Sequence, residues 1–439
     1  MIPQKRVISP SLILDAVQTD RFKTETLSVS IVTPMSRELT PLYVLALSTL
    51  KRGTEKFPSQ KLINKRLDEL YATGISIRLD RYGSTNLLGF CAELLGEEYT
   101  DGKTDIFDGA LDVILQMLFH PLLDEKGHFL ARYVESEKDN VCDAIEAQIN
   151  NPRAYASKRC REIMFEKDDY GAELLGTVEQ IRGVTAEALS SAYRDLISDH
   201  TFRVFYIGSK SIDEVEKRIK KRILSYLSDA IPERGSTTEC SAIIKKIKRV
   251  DEEMSLSQGK LVLGFRTGVN VCHGDFYPML VLSEIYGGSP VSKLFMNVRE
   301  RLGLCYYCSA SYDIYKGVMF VSSGVDPASR EMAEMEILHQ LDDIRCGKIT
   351  KGEFDAAVKS LVSSYRAISD LPSTLESFYA GRELFGVGCT VSEFMESVGK
   401  VTVEDVIRVA DKIALDTVYF LYGNENADGE VEDEFSDLT

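Results

Sequence analysis

Apolar positions along the chain fall into short runs whose order recurs. Leu27–Thr33 is strand-like, and an apolar helix-like stretch from about Pro41 to Leu50 breaks at Gly53-Thr54. A second helix is predicted over Lys61–Tyr71, with Gly74 as its C-terminal cap. Strand-like runs Ile75–Leu79 and Asn86–Glu93 follow, then a helix near Ile106–Leu118. The second half repeats this sequence of events. Leu261–Phe265 is strand-like, Phe276–Tyr286 is an apolar helix ended by Gly287-Gly288-Ser289-Pro290, and a helix over Ser292–Arg301 ends at Gly303. Strands Leu304–Tyr312 and Gly317–Val325 and a helix over Arg330–Arg345 complete the parallel.

The two ends of the halves also correspond. Val184-Thr-Ala-Glu187 leads through a helix to a strand ending at Gly208, and Val401-Thr-Val-Glu404 leads through a helix to a strand ending at Gly423. The offsets are 229 residues from Gly74 to Gly303, 217 from Val184 to Val401 and 215 from Gly208 to Gly423. Near-constant spacing at separate places predicts two homologous halves. Strands in hairpin order mixed with amphipathic helices predict an α+β fold, each half an antiparallel-type sheet covered by helices. The expected organisation is a first half over 1–225, a linker over 226–258, a second half over 259–423 and an acidic, disordered tail over 424–439.

Charge narrows the function classes. The chain holds 52 Lys and Arg against 68 Asp and Glu, a net charge of −16, which argues against an electrostatic grip on nucleic acid or anionic membranes. Seven of those acids lie in the tail, which has no Lys or Arg. The joint carries a basic stretch, Lys245–Arg249, followed at once by Asp251–Glu253, and reads as a solvated edge. Nine scattered cysteines, an odd number, point to a reducing cytoplasm rather than a disulfide scaffold. No signal-peptide core or membrane-length apolar run is present.

Familiar catalytic and phosphate-binding motifs are missing. There is no dinucleotide or P-loop glycine pattern, no G-x-S-x-G elbow, and no two of the five histidines lie within four residues of each other. Cys305 and Cys308 form a lone C-x-x-C; on a strand, residues three apart point to opposite faces, so two separate buried thiols are expected.

The two halves resemble the pitrilysin/insulinase superfamily of zinc peptidases, in the branch of mitochondrial processing peptidase and bacterial processing proteases. The likeness runs from about residue 20 to 424 and is strongest where Gly287-Gly-Ser-Pro-Val-Ser-Lys-Leu-Phe295 leads into Val298-Arg-Glu-Arg-Leu-Gly-Leu-Cys-Tyr306. Active relatives carry a comparable glycine turn and Arg-Glu-x-x-Gly-Leu-x-Tyr. The run Leu50-Lys-Arg-Gly-Thr54 matches the stretch just after the family's zinc helix. In that register the H-x-x-E-H positions fall on Val44, Leu47 and Ser48. With Glu137 at the family's upstream acid, the third ligand position falls on Ala144. None of these four side chains can ligate zinc or take a proton from a bound water, so the resemblance implies no metal and no cofactor in this chain.

The resemblance assigns the other half of the machinery to Arg299 and Tyr306, at the positions that hold the substrate backbone and stabilise the developing oxyanion. Taken from the residues alone, Arg299 could equally pair with a surface acid and Tyr306 be a half-buried strand residue. The implied assembly is a clamshell. The implied role is a metal-free subunit of a heterodimeric peptidase whose homologous partner carries the zinc and which acts on peptides or unfolded segments. A peptide-binding scaffold without catalysis is the alternative.

Overall fold

The computed structural model describes residues 3–198, 200–227, 244 and 246–423. They form two units, each an antiparallel-rich sheet between helices. The first unit takes residues 1–147, 167–239 and 363–396. Its strands are β1 (Gln4–Ser9), β2 (Leu12–Gln18), β3 (Thr24–Pro34), β4 (Gly74–Tyr82), β5 (Thr85–Leu95) and β6 (Thr201–Gly208). They lie in the order β1-β2-β6-β3-β5-β4, with only β2 and β6 parallel. Alternation along β3 divides its faces. Leu27, Val29 and Ile31 join the apolar core with α1 (Leu39–Leu50), α2 (Gln60–Glu69) and α3 (Ile106–Phe119). Ser28 points to the other face, towards helix Pro372–Leu384.

That second face is polar and its charges are paired. Glu376 accepts from Arg78 on β4 and from Ser28 on β3, and all three are buried. Arg78 Nη1 also reaches Ser28 Oγ at 3.0 Å, and its Nε reaches Asp80 at 2.6 Å. Burial opposes the charge on Arg78, but the carboxylates of Glu376 and Asp80 hold its guanidinium above the usual value. Glu383, two turns along the same helix, lies 3.8 Å from Arg203 of β6, which also pairs with Asp15 of β2.

The second unit takes residues 148–166, 240–362 and 397–439. Its sheet runs β7-β11-β8-β10-β9, from β7 (Lys248–Glu253), β8 (Gly259–Arg266), β9 (Cys305–Asp313), β10 (Val318–Val325) and β11 (Ala414–Tyr422). Following α4 (Ala131–Glu146), α5 (Pro152–Met164) covers one face of this sheet. Ala156 and Cys160 pack against Val262, Tyr419 and Leu421, and Glu252 accepts from Tyr155 at 2.6 Å and from Arg159 at 3.1 Å.

Each sequence half therefore contributes one helix to the sheet of the other. Pro152 and Pro372, which open the two exchanged helices, are 220 residues apart, in step with the internal repeat. This differs from the expected split at 1–225 and 259–423. An amphipathic helix declares how wide its buried face is and leaves open which sheet it covers. The expected linker over 226–258 is also corrected, because 248–253 is strand β7, paired in parallel with β11. Most of the remaining linker, and the acidic 424–439, lie outside the described residues. Among those described, no helix is long and apolar enough to cross a membrane.

Two local expectations change as well. Helix α2 ends at Glu69, and the left-handed residues after it are Tyr71 and Ala72; Gly74 starts β4 instead of capping the helix. Gly303, its counterpart in the repeat, is left-handed with φ +62°. The glycine turn after Phe276–Ser283 does not break the helix but continues it as a π-helical turn over Glu284–Gly288, and Leu294–Arg301 is π-helical too. Gly287 is there for proximity: a Cβ would stand 2.5 Å from the backbone nitrogen of Ala310 on β9. Gly287→Ala should therefore push the turn off β9 and destabilise the second unit by about 1–3 kcal/mol, seen as a lower melting temperature for the full chain.

Candidate functional site

The positions that the resemblance assigns to a zinc site, Val44, Leu47, Ser48 and Ala144, lie in the first unit, on α1 and α4. Helix α1, LTPLYVLALSTL, is buried nearly all round, and this follows from having no charged residue in twelve. Val44 and Leu47 are core side chains, 2% and 0% exposed. Ser48 turns its hydroxyl back to the Val44 carbonyl at 3.1 Å, satisfying its own helix. Ala144 is exposed on α4. Glu137, in the family's upstream acid position, is buried and accepts from Arg52, which also donates to Ser136 Oγ at 3.0 Å. Glu137 is thus held by a guanidinium that follows α1. Zinc needs lone pairs from thiolate, imidazole or carboxylate. Two aliphatic side chains, a methyl and a hydroxyl committed to its helix do not fit it, so no chemical step through a metal is assigned to this chain. Among the described residues, no group of three or more His, Cys, Asp or Glu is placed to hold a metal ion.

The second set, Arg299 and Tyr306, lies in the second unit. The π-helical Leu294–Arg301 closes on Gly303, whose left-handed backbone lets Gly303 N bond the Arg299 carbonyl at 3.1 Å and Leu304 N bond the Val298 carbonyl at 3.0 Å. Strand β9 starts two residues later. Its pairing with β10 sets Cys305 opposite Val325 and Tyr307 opposite Gly324, so Tyr306 is the extra residue of a β-bulge. Tyr306 is 67% exposed. Arg299 lies over the Phe295 ring at 4.7 Å, with its Nε 3.6 Å from Glu300. Adjoining elements present Arg299 and Tyr306, and no hydrogen bond links the two among the described residues.

Tyr307 differs from its neighbour in packing. The Arg153 guanidinium of α5 sits 4.1 Å over its ring, and a Cβ at Gly324 would meet that ring at 2.5 Å. Arg153 also donates to Ser309 Oγ at 3.0 Å, so Tyr307 and Ser309 face α5. Burial pushes the Tyr307 hydroxyl above the usual range.

The bulge overturns the expectation for the two thiols. Cys308 pairs with Ser323 and Cys305 with Val325; Ser323 and Val325 are two apart on β10 and share a face. Cys305 and Cys308 therefore point the same way, away from α5. Strict alternation fails because one strand carries an extra residue, which apolar patterning does not register. The C-x-x-C spacing was the available signal, and it becomes a pair only through the bulge.

Known proteins resemble this chain along most of its length. The family pattern described as "Peptidase M16 inactive domain" matches residues 183–361. A "Probable inactive metalloprotease", YmfF of Bacillus subtilis (strain 168), is 28% identical over 94% of this chain and 96% of its own length. An "Uncharacterized zinc protease", YmxG of the same organism, is 24% identical over 72% of this chain and 76% of its own. The crystal structure of a conserved protein from Enterococcus faecalis V583 superposes with a TM-score of 0.89 at 25% identity, covering 97% of this chain and 99% of that one.

Proposed function

We propose, from the premise that this chain belongs to the M16 peptidase family as an inactive homologue, that it is the Arg/Tyr-contributing subunit of a two-chain peptidase. One observation carries the reading. The four zinc positions hold core, helix-bound or methyl side chains, whereas the segment with Arg299 and Tyr306 keeps the family's residues and a bulge that leaves Tyr306 open to solvent. Val44 and Leu47 belong to the core of the first unit, and Ser48 is bound to its own helix. In the second unit, β9 is an edge strand, the kind of sheet edge to which an extended peptide can be added as a further strand. Arg299 supplies a donor fork for carbonyl groups, and Tyr306 a single O–H donor. The partner is a homologous chain with an intact zinc motif; Bacillus subtilis has relatives of this chain described both as inactive and as a zinc protease.

A scaffold role is the second reading, favoured by one observation: Arg299 is already engaged by Phe295 and Glu300. The experiment that separates them is co-expression with zinc-bearing homologues of the same organism, followed by size exclusion and elemental analysis. The isolated chain should bind no stoichiometric zinc and cleave neither casein nor short fluorogenic peptides. A stable complex with a zinc-bearing homologue should carry the metal and a chelator-sensitive activity. Stoichiometric zinc in the isolated chain, lost on mutation within 44–48 or 135–146, would defeat the reading. A stable homodimer with no affinity for any such homologue would hand the case to the scaffold.

A further inference from the structure

We infer that Cys305 and Cys308 form a redox-active dithiol, oxidised to an intramolecular disulfide by a peroxide, with Cys305 as the attacking thiol and Cys308 as the resolving one. The observation is geometric. The extra residue Tyr306 puts both side chains on the same face of β9, opposite Val325 and Ser323, where plain strand alternation would separate them. The two thiols are within hydrogen-bonding reach of each other, the proximity from which an S–S bond can form. The two thiols interact with each other, and the Ser323 hydroxyl interacts with both while donating to the Tyr307 carbonyl at 2.9 Å.

The roles follow from surroundings. Cys305 stands at the strand's start, 8% exposed, while Cys308 is 3% exposed, so a small oxidant reaches Cys305 first. The Cys308 thiol donates to Cys305, and Ser323 and the Arg299 guanidinium also favour its thiolate. Against the opposing effect of burial, they bring Cys305 down to about 7. The same contact and burial push Cys308 up, so the pair gives up its first proton at Cys305.

The chemistry balances without further components. The Cys305 thiolate attacks one peroxide oxygen; the O–O bond breaks, a sulfenic acid forms and the other oxygen leaves as water once protonated. The Cys308 sulfur then attacks the Cys305 sulfur, the S–O bond breaks and a second water leaves. Two thiols lose two electrons and two protons to form one S–S bond, and one peroxide becomes two waters. Exchange with a dithiol reductant reverses the step. The bridge encloses Tyr306 and Tyr307, so it ties the bulge that exposes Tyr306.

The test uses the native full-length chain, hydrogen peroxide, blocking of remaining thiols with iodoacetamide in denaturant, and tryptic mass analysis. Cleavage after Arg301 and Lys316 releases residues 302–316, which contain both cysteines and no other. The expected result is that this peptide escapes alkylation with a loss of two hydrogens, about 2 Da, and regains two alkylation sites after dithiothreitol. In Cys308→Ser, dimedone should trap a sulfenic acid at Cys305. In Cys305→Ser, peroxide-driven oxidation of Cys308 should be at least about tenfold slower than in the native chain. Alkylation of 302–316 at both cysteines after peroxide, under conditions that oxidise the exposed Cys272 or Cys346, would overturn the inference. So would equal reactivity of Cys308 with and without Cys305.

Discussion

Tyr306→Phe, in a complex with a zinc-bearing homologue, should lower turnover roughly 100- to 1,000-fold, the usual loss of about 2.7–4 kcal/mol for one oxyanion-type donor, and leave assembly intact. Removing a single hydroxyl from a side chain that is 67% exposed costs the fold little, so a kinetic loss reads as a lost donor. Arg299→Ala should act as strongly but more through KM, because a guanidinium fork holds backbone carbonyls in ground and transition states alike. Its truncation also uncovers Phe295, which the guanidinium now overlies. Tyr307→Phe is the control. That ring is fixed between Arg153 and Gly324, and the change keeps the ring and its cation–π contact. The measurement is steady-state kinetics on reconstituted complexes with size exclusion alongside. Wild-type turnover from both Tyr306→Phe and Arg299→Ala would make the pair a relic.

Glu376→Ala should destabilise the first unit by about 3–5 kcal/mol, the range for deleting one partner of a buried ion pair. The loss strands Arg78 in a buried site with only Asp80 left as a counter-charge and removes the acceptor of Ser28. It also loosens helix Pro372–Leu384, an element that the second sequence half contributes to the first unit. Denaturant titration of the full chain should show the first unit unfolding earlier. An Arg78→Met, Glu376→Leu double variant should recover much of the loss, since neither charge is then left alone. The pH dependence follows from the carboxyl itself. Burial raises the Glu376 carboxyl above its ordinary 4.5, against the pull of Arg78 and the Ser28 hydroxyl. A carboxyl with a raised folded value keeps its proton longer in the native state. Its stabilising contribution is full below about 4.5 and is lost as pH rises through the folded value. Glu376→Gln should flatten that decline, and an unchanged pH profile in the variant would contradict it.

The Arg78–Glu376 pair marks the boundary between what was legible in the chain and what was not. The 3.6- and 2-residue periodicities place β3, α1, β5, α3, β8, β9 and β10 close to their observed positions, because each element's register is set by which side chains must leave water. The repeat spacing gives two units of like construction. The family register puts Val44, Leu47, Ser48 and Ala144 where ligands would stand, and a residue's inability to bind a metal is a property of the residue alone. Which sheet an amphipathic helix covers is not local. Helix Pro372–Leu384 and α5 each bury a face that either sheet would accept, and long-range pairs such as Arg78–Glu376 in one unit and Arg159–Glu252 in the other decide between them. The bulge at Tyr306 is of the same kind. It exists only in the pairing of β9 with β10, yet it sets which of two adjacent tyrosines is exposed and which cysteines share a face. Composition and spacing along the chain determined the elements and the inability of Val44, Leu47, Ser48 and Ala144 to ligate a metal. Contacts between residues distant in sequence determined the exchange of helices and the arrangement around Tyr306, because their energies depend on partners that no local pattern names.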